Sequence, residues 1–275
     1  MRLGRSRLFI VLTTLVVLAA CGDRSTSPAA GTFTPHSPGR LTVVTADIPS
    51  PGFWEGTTTR PTGGFEYELA KLLAERFGLS SVHVETESFH RIVEGHLGGA
   101  DLALDLITPT STRAQHLDFS TPYLNTAPTV LARTDTNVPD VATARQLRWG
   151  VVRGTTFVEI VHTVIDPIRP TEVYGSNTAV VAALEDHKID ALLLDLPLAV
   201  VTANDSDKRL HAAAQLSEPE LLAAAMPKGS GNTEAVDSAI RAFTSDGTIN
   251  ELLGKWVGAQ AADAEKSIPL LRTGQ

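Results

Sequence analysis

Residues 189–194 read Ile-Asp-Ala-Leu-Leu-Leu and lead directly into Asp195. The run is far too short to span a membrane and has almost no polar residue to turn toward water. It fits a strand covered on both faces, which requires helices packed above and below a sheet. The rest of the chain agrees. Residues 41–46 (Leu-Thr-Val-Val-Thr-Ala), 82–86, 101–107 and 149–152 read as further short strands. Between them, helices are expected after Gly63-Gly64, where Phe65, Leu69, Leu72, Leu73 and Phe77 keep helical spacing up to Gly78. Others are expected at 92–97, 155–165, 177–187, 233–244 (capped by Asn232) and 249–257. Such alternation predicts an α/β chain with mainly parallel sheets between helical layers, and ligands in these folds bind beyond the carboxyl ends of strands.

The first residues carry a different message. Arg2, Arg5 and Arg7 precede an apolar stretch over 8–20, and Leu18-Ala19-Ala20 leads into Cys21, the only cysteine. The pattern is that of an export signal, residues 1–20, and the string resembles a bacterial lipobox, in which the cysteine is lipidated and becomes the mature N-terminus. More than one acyl chain on Cys21 would hold the protein stably at a membrane surface. Residues 21–39 are rich in Ser, Thr, Pro and Gly and read as a flexible tether. Without a second cysteine the exported domain has no disulfide, so it must rely on its core, and roughly 220 residues are ample for one large or two medium lobes. Loss of the three signal arginines takes the formal charge from −8 to −11. An acidic surface without a basic stripe makes nucleic acid an unsuitable partner.

Catalytic and cofactor motifs are missing from the string. There is no His-Glu-x-x-His, and His90 and His96 lie six apart, on different faces of a helix. Gly229-Ser230-Gly231 lacks the strand–turn–helix setting of a nucleophile elbow, and neither usual phosphate-cradling loop is present. No catalytic residue, metal site or cofactor is therefore expected.

Three polar features at strand ends carry more. Thr108, Thr110 and Arg113 follow the strand that begins at Asp101, and the arginine fork matches a carboxylate in bidentate fashion, although it could equally pair with Asp118. Gly154-Thr155-Thr156 opens a helix, where free N–H groups favour an anion, or where the threonines simply cap. Asp195 ends the apolar strand as a carboxylate, facing a crevice or capping the helix that Pro197 starts. Two anion-binding groups and one cation-binding group match a zwitterionic amino acid.

Five strings in order resemble the amino-acid-binding periplasmic (extracellular solute-binding) proteins of ABC importers. They are Gly64-Phe65-Glu66-Tyr67-Glu68-Leu69-Ala70; Asp101 through Arg113 with Asp118-Phe119-Ser120-Thr121-Pro122-Tyr123; Gly150 through Thr156; Asp190 through Asp195; and Gly247 through Lys255-Trp256. The resemblance implies a two-lobed, type II periplasmic-binding-protein fold, each lobe a mainly parallel sheet covered by helices, with ligand in the cleft between lobes. Lobe one would comprise 40–122 and 223–258, lobe two 128–217, with hinge strands at 123–127 and 218–222 and an unassigned C-terminal extension, 259–275. Arg113 would hold the ligand α-carboxylate with Thr108 and the N–H of Thr156. Asp195 would hold the α-ammonium, Asp190 would be structural, Phe89 would pack on the ligand, and Phe53 or Trp54 would supply a second aromatic wall.

Asp105 and Leu106 stand where the family usually has small residues. The Leu106 carbonyl can accept from an ammonium, and Asp105 adds charge only if it faces the ligand. Val152 and Leu194 make an apolar side-chain pocket, which points to an uncharged amino acid unless Asp105 is desolvated. The implied function is that of a monomeric, lipid-anchored, extracytoplasmic binding protein that delivers a free amino acid to the permease of an ABC importer. Two other roles share the fold: an exported cyclohexadienyl-dehydratase-like enzyme, and the ligand-sensing subunit of a membrane receptor.

Overall fold

The computed structural model describes residues 31–258, 264 and 266–272. Residues 1–20, expected to be an export signal, and Cys21 lie outside the described residues.

The chain opens with β1 (Arg40–Thr45), a hairpin of β2 (Glu55–Thr57) and β3 (Arg60–Gly63), and helix α1 (Phe65–Arg76). β4 (Ser81–Thr86), the short helix α2 (Phe89–Val93), β5 (Leu102–Ala103) and β6 (Leu117–Phe119) follow. Two strands, β7 (Leu124–Thr126) and β8 (Pro128–Arg133), lead to α3 (Val141–Ala144), β9 (Trp149–Val152) and α4 (Phe157–Ile160). Next come β10 (Glu172–Tyr174), α5 (Asn177–Glu185), β11 (Ala191–Asp195), α6 (Leu196–Asp205) and β12 (Leu210–Gln215). β13 (Glu220–Leu222), β14 (Ala225–Pro227), α7 (Thr233–Ser245) and α8 (Thr248–Trp256) complete the elements.

Two five-stranded sheets result, ordered β4-β1-β5-β14-β6 and β10-β9-β11-β8-β12. The chain passes between them twice, and the two passages pair antiparallel as β7 and β13, with Glu220 opposite Thr126 and Leu222 opposite Leu124. β1 runs parallel to β4 and β5, and β9 parallel to β10 and β11. β8, β12 and β14 run antiparallel to their neighbours. None of these three is among the strands expected from the sequence, which named 41–46, 82–86, 101–107, 149–152 and 189–194.

The opening argument has its outcome in β11. Leu192 and Leu194 pack into one core cluster with Val180 and Leu184, and Ala191 and Leu193 into another with Trp149, Phe157 and Val161. Both faces of the strand are covered, and each buried leucine contributes about 1.5–3 kcal/mol relative to exposure. Under the first sheet, α1, α7 and α8 bury Leu69, Leu73, Val236, Ile240 and Leu252. The first N–H groups of α1 are satisfied by backbone rather than by a capping side chain: Phe65 N donates to Gly52 O (2.9 Å) and Glu66 N to Phe53 O (3.2 Å). This close approach requires Gly64, whose φ is 109° and where a Cβ would stand 2.2 Å from Phe53 O.

Several boundaries differ from expectation for local reasons. The strand expected over 101–107 pairs only at Leu102–Ala103, because the chain turns at Leu106, whose φ of 51° is left-handed. The helix expected at 92–97 ends at Val93, with Gly95 at φ 91°. The helix from 155 tightens to Phe157–Ile160 and then widens to a π turn that stops at Asp166, φ 50°. Asn232 precedes α7 but does not cap it; its side chain instead brackets Thr34 through Thr34 N and Thr34 O, both 2.8 Å. The C-terminal segment runs along the second sheet, where Leu271 N donates to Gln215 O (2.8 Å) and Val141 N to Arg272 O (3.0 Å).

Candidate functional site

A cleft between the two sheets collects residues from both lobes: Asp105, Thr108 and Arg113 from the first, Val152, Thr156 and Asp195 from the second, and Glu220 from β13. Its empty volume is about 540 Å³, open solvent at the mouth included. The lobes already touch across it. Arg113 Nη2 donates to Gly154 O (2.9 Å), Asn177 N donates to Asp47 Oδ2 (2.8 Å), and Gly154 lies against the backbone of His90. Parting of the lobes breaks these contacts.

Arg113 starts a 3-10 turn after the β5 loop and is buried, 6 % exposed. Its Nη1 donates to Thr108 O (2.6 Å), and its guanidinium lies over the Phe89 ring at 5.3 Å. The pairing with Asp118 does not occur, since Asp118 meets Lys228 (3.0 Å) at the surface. Burial pulls the Arg113 guanidinium down to about 10, against the opposing pull of Glu220, Asp195 and Asp105.

Asp195 ends β11 opposite Pro128 and precedes α6, yet its side chain does not cap that helix. The first donor of α6, Leu196 N, goes to Ala127 O (3.0 Å) and Thr126 Oγ1 (3.2 Å) instead. Asp195 Oδ1 is buried without a hydrogen bond. Burial pushes this carboxyl well above its ordinary range, and the charges of Glu220 and Glu66 push the same way. At the other end of the strand, Arg148 donates to Asp190 at 2.9 and 2.6 Å and Arg133 at 3.0 Å. Hydrogen bonds from Arg148 hold the Asp190 carboxyl below its usual range, with Arg133 assisting.

The β5 loop is shaped from behind by Glu66, which is fully buried. It accepts from Trp54 Nε1 (2.7 Å), Leu106 N (2.9 Å) and the Tyr123 hydroxyl. The bond to Leu106 N fixes a left-handed leucine, where glycine is normally at home. Asp105 and Leu106 are thereby turned into the cleft lining. Asp105 Oδ1 accepts from Thr45 Oγ1 (2.9 Å) and the Ala46 N–H lies near enough to the carboxyl to favour its ionised form, whereas Oδ2 is sealed from solvent without a hydrogen bond of good geometry. Burial, reinforced by the charge of Glu66, pushes the Asp105 carboxyl up to about 8.

Thus Arg113, Thr108, Thr156, Asp195, Phe89, Leu106 and Asp105 all line the cleft, as do Val152 and Leu194. Phe53 does not. It is fully buried with its ring edge-on to Phe65 at 5.8 Å, because the α1 N-terminus docks on its carbonyl and draws it into the lobe. Trp54 is equally buried, held by Glu66. Asp47, Asn177 and Glu220 also line the cleft, with no motif to mark them in the sequence. Glu220 accepts from Thr108 Oγ1 and reaches the site only because β13 pairs with β7. Among the described residues, Arg113 is the only cationic side chain lining the cleft, and no group of His, Cys, Asp and Glu is arranged to hold a metal.

The chain is similar to known proteins in sequence and in fold. The model of the bacterial extracellular solute-binding proteins, family 3, covers residues 42–259. The L-cystine-binding protein TcyJ of Escherichia coli (strain K12) is 26 % identical over 200 residues, 71 % of this chain and 74 % of that protein. Among solved structures, the solute receptor for L-cysteine of Neisseria gonorrhoeae superimposes with a TM-score of 0.72 at 25 % identity, covering 82 % of this chain and 92 % of the other. The ancestral amino acid-binding protein AncCDT-1, a precursor of cyclohexadienyl dehydratase, superimposes with a TM-score of 0.67 at 23 % identity, covering 80 % and 95 %. The two sheets with their helices have the type II periplasmic-binding-protein fold.

Proposed function

The chain belongs to family 3 of the bacterial extracellular solute-binding proteins, and we propose that it captures a free amino acid by closure of its two lobes and hands it to an ABC importer. The observation that carries this reading is the cleft itself, where a buried guanidinium on one lobe faces a buried, unpaired carboxylate on the other. Arg113, with Thr108 and Thr156, takes the α-carboxylate, and Asp195 takes the α-ammonium. Each group sits on a different lobe, so only the closed state makes both sets of contacts, and ligand therefore favours closure. The β7–β13 ribbon is the hinge. Arg113 exchanges its bond to Gly154 O for the ligand carboxylate, which answers a bidentate fork better than a carbonyl does.

The protein works outside the cytoplasm, held to the membrane by lipid on Cys21. No helix among the described residues is long and apolar enough to cross a membrane. Calorimetric titration with each common amino acid tests the reading. One amino acid or a small related set binds, and Arg113→Ala abolishes that binding while circular dichroism stays unchanged. Failure of every amino acid to bind overturns it.

One observation favours a second activity on the same frame. Burial pushes the Asp195 carboxyl toward its protonated form, and an acid beside an arginine suits dehydration of a carboxylate substrate, as AncCDT-1 precedes a dehydratase. Turnover of arogenate or prephenate by the purified protein decides for that activity.

A further inference from the structure

We propose that Asp105 is a second cation subsite of the cleft, and that the captured amino acid carries a cationic side chain that sits on Asp105 while its α-ammonium sits on Asp195. This rests on the amino-acid reading above and adds the ligand class to it.

The argument is one of unmet partners. Asp47, Glu66, Asp105, Asp195 and Glu220 gather in or directly behind the cleft, around Arg113 alone. Among the described residues, none of the five has a cationic nitrogen in ion-pair contact. Protein donors occupy Glu66 fully, Asp47 through Asn177 N and Glu220 through the Thr108 hydroxyl. Two buried oxygens stay without a hydrogen bond, Asp195 Oδ1 and Asp105 Oδ2. A zwitterion has one ammonium and so answers only one of them. A buried carboxylate left unpaired is costly, and an amino acid with a second cationic group removes that cost.

The surroundings of Asp105 favour a cation over a neutral donor. Its carboxylate stands beside the end of β1, where Ala46, Asp47 and Ser50 line the cleft, so a second negative charge borders the same corner. Glu66 lies close enough behind to act electrostatically on Asp105. A cation there meets the summed field of several carboxylates, whereas a neutral amide meets only one hydrogen bond. The apolar walls Val152, Leu194 and Leu198 do not oppose this. A lysine or arginine side chain reaches its charge through methylenes that pack against such surfaces. The expectation of an uncharged ligand depended on Asp105 being solvated, and the sealed Oδ2 removes that premise.

The test is isothermal titration of wild type and Asp105→Asn with arginine and lysine against their neutral counterparts citrulline and norleucine. Asparagine keeps the size of the side chain and the acceptor for Thr45 Oγ1, so the fold is retained; circular dichroism checks this. We expect wild type to prefer the cationic member of at least one pair by 10-fold or more, and Asp105→Asn to lose that preference. Arginine or lysine binding repeated in phosphate and Tris buffers should release protons with wild type, and fewer with Asp105→Asn. Neutral members binding as tightly as cationic ones, or a preference that survives Asp105→Asn, overturns the proposal. If a neutral amino acid binds and needs Arg113, the amino-acid reading stands and only this subsite falls. If nothing binds, both fall.

Discussion

Asp105→Asn should make the ligand-free protein more stable at neutral pH, by an amount that disappears in acid. Asp105 has an ordinary carboxyl pKa of 3.8 when unfolded and about 8 when buried in the cleft. Between these values the folded chain holds a proton that the unfolded chain has lost, so the stability of wild type falls as pH rises through this window. Each unit costs about 1.4 kcal/mol, and from 3.8 to 7 the loss reaches about 4 kcal/mol. Above pH 8 both states are ionised and the loss levels off. Asparagine has no such slope. The assay is urea denaturation of both proteins at pH 5, 6, 7 and 8, followed by tryptophan fluorescence, for which Trp54 on Glu66 is a local reporter. The stability gap should widen by about 1.4 kcal/mol per unit and approach zero near pH 4. Two curves that run parallel across this range refute the burial argument, because a carboxyl with an ordinary pKa has nothing left to titrate there.

Four further outcomes follow from other contacts. Asp195→Ala should weaken amino-acid binding by about 2–5 kcal/mol, since it strands the ligand ammonium in a closed cleft; calorimetry with near wild-type affinity contradicts it. Gly154→Ala should hold the lobes apart, because a Cβ there stands 2.8 Å from His90 Cα, and small-angle scattering should show a ligand-saturated protein more open than wild type. Asp190→Asn should cost about 2 kcal/mol at pH 7 by cutting the Arg148 and Arg133 bonds. The folded Asp190 carboxyl is held low, so its contribution is present above pH 3.8 and lost as pH falls, and melting curves of the two proteins should converge in acid. Cys21→Ser should release the protein from the membrane fraction, and equal partitioning of the two forms counts against a lipid anchor.

The closed cleft explains why so many carboxylates are tolerated around one arginine. Asp105 and Asp195 are pushed toward their protonated forms, which lowers the charge the cleft must hold before ligand arrives. Glu66 has a different task. Saturated by Trp54, Tyr123 and Leu106, it locks the β5 loop in a left-handed turn and so aims Asp105 at the cleft. In the sequence, the string 64–70 that contains Glu66 marks only a helix start, and the reason for a carboxylate at that position is visible only when Leu106 folds back onto it.

Local features were legible without coordinates wherever the physics is local. Two-face burial of residues 189–194 follows from their composition, and the α1 pattern from the spacing of Phe65, Leu69 and Leu73. The positions of Thr108, Arg113, Thr156 and Asp195 at strand or helix ends likewise marked them for a cleft, and all four line it. The antiparallel members β8, β12 and β14 were not legible as strands, and what a strand buries does not tell its direction. Neither was Phe53, an aromatic that reads alike for a ligand wall and for a core until the α1 N-terminus docks on its carbonyl. Glu220 sits 112 residues from the Thr108 hydroxyl it accepts, and Asp47 130 residues from Asn177. What a residue prefers for its own backbone and its own face is written in its near neighbours. Which distant carboxylates share one cleft, and which of their oxygens are left without a donor, is decided only when both lobes close around them.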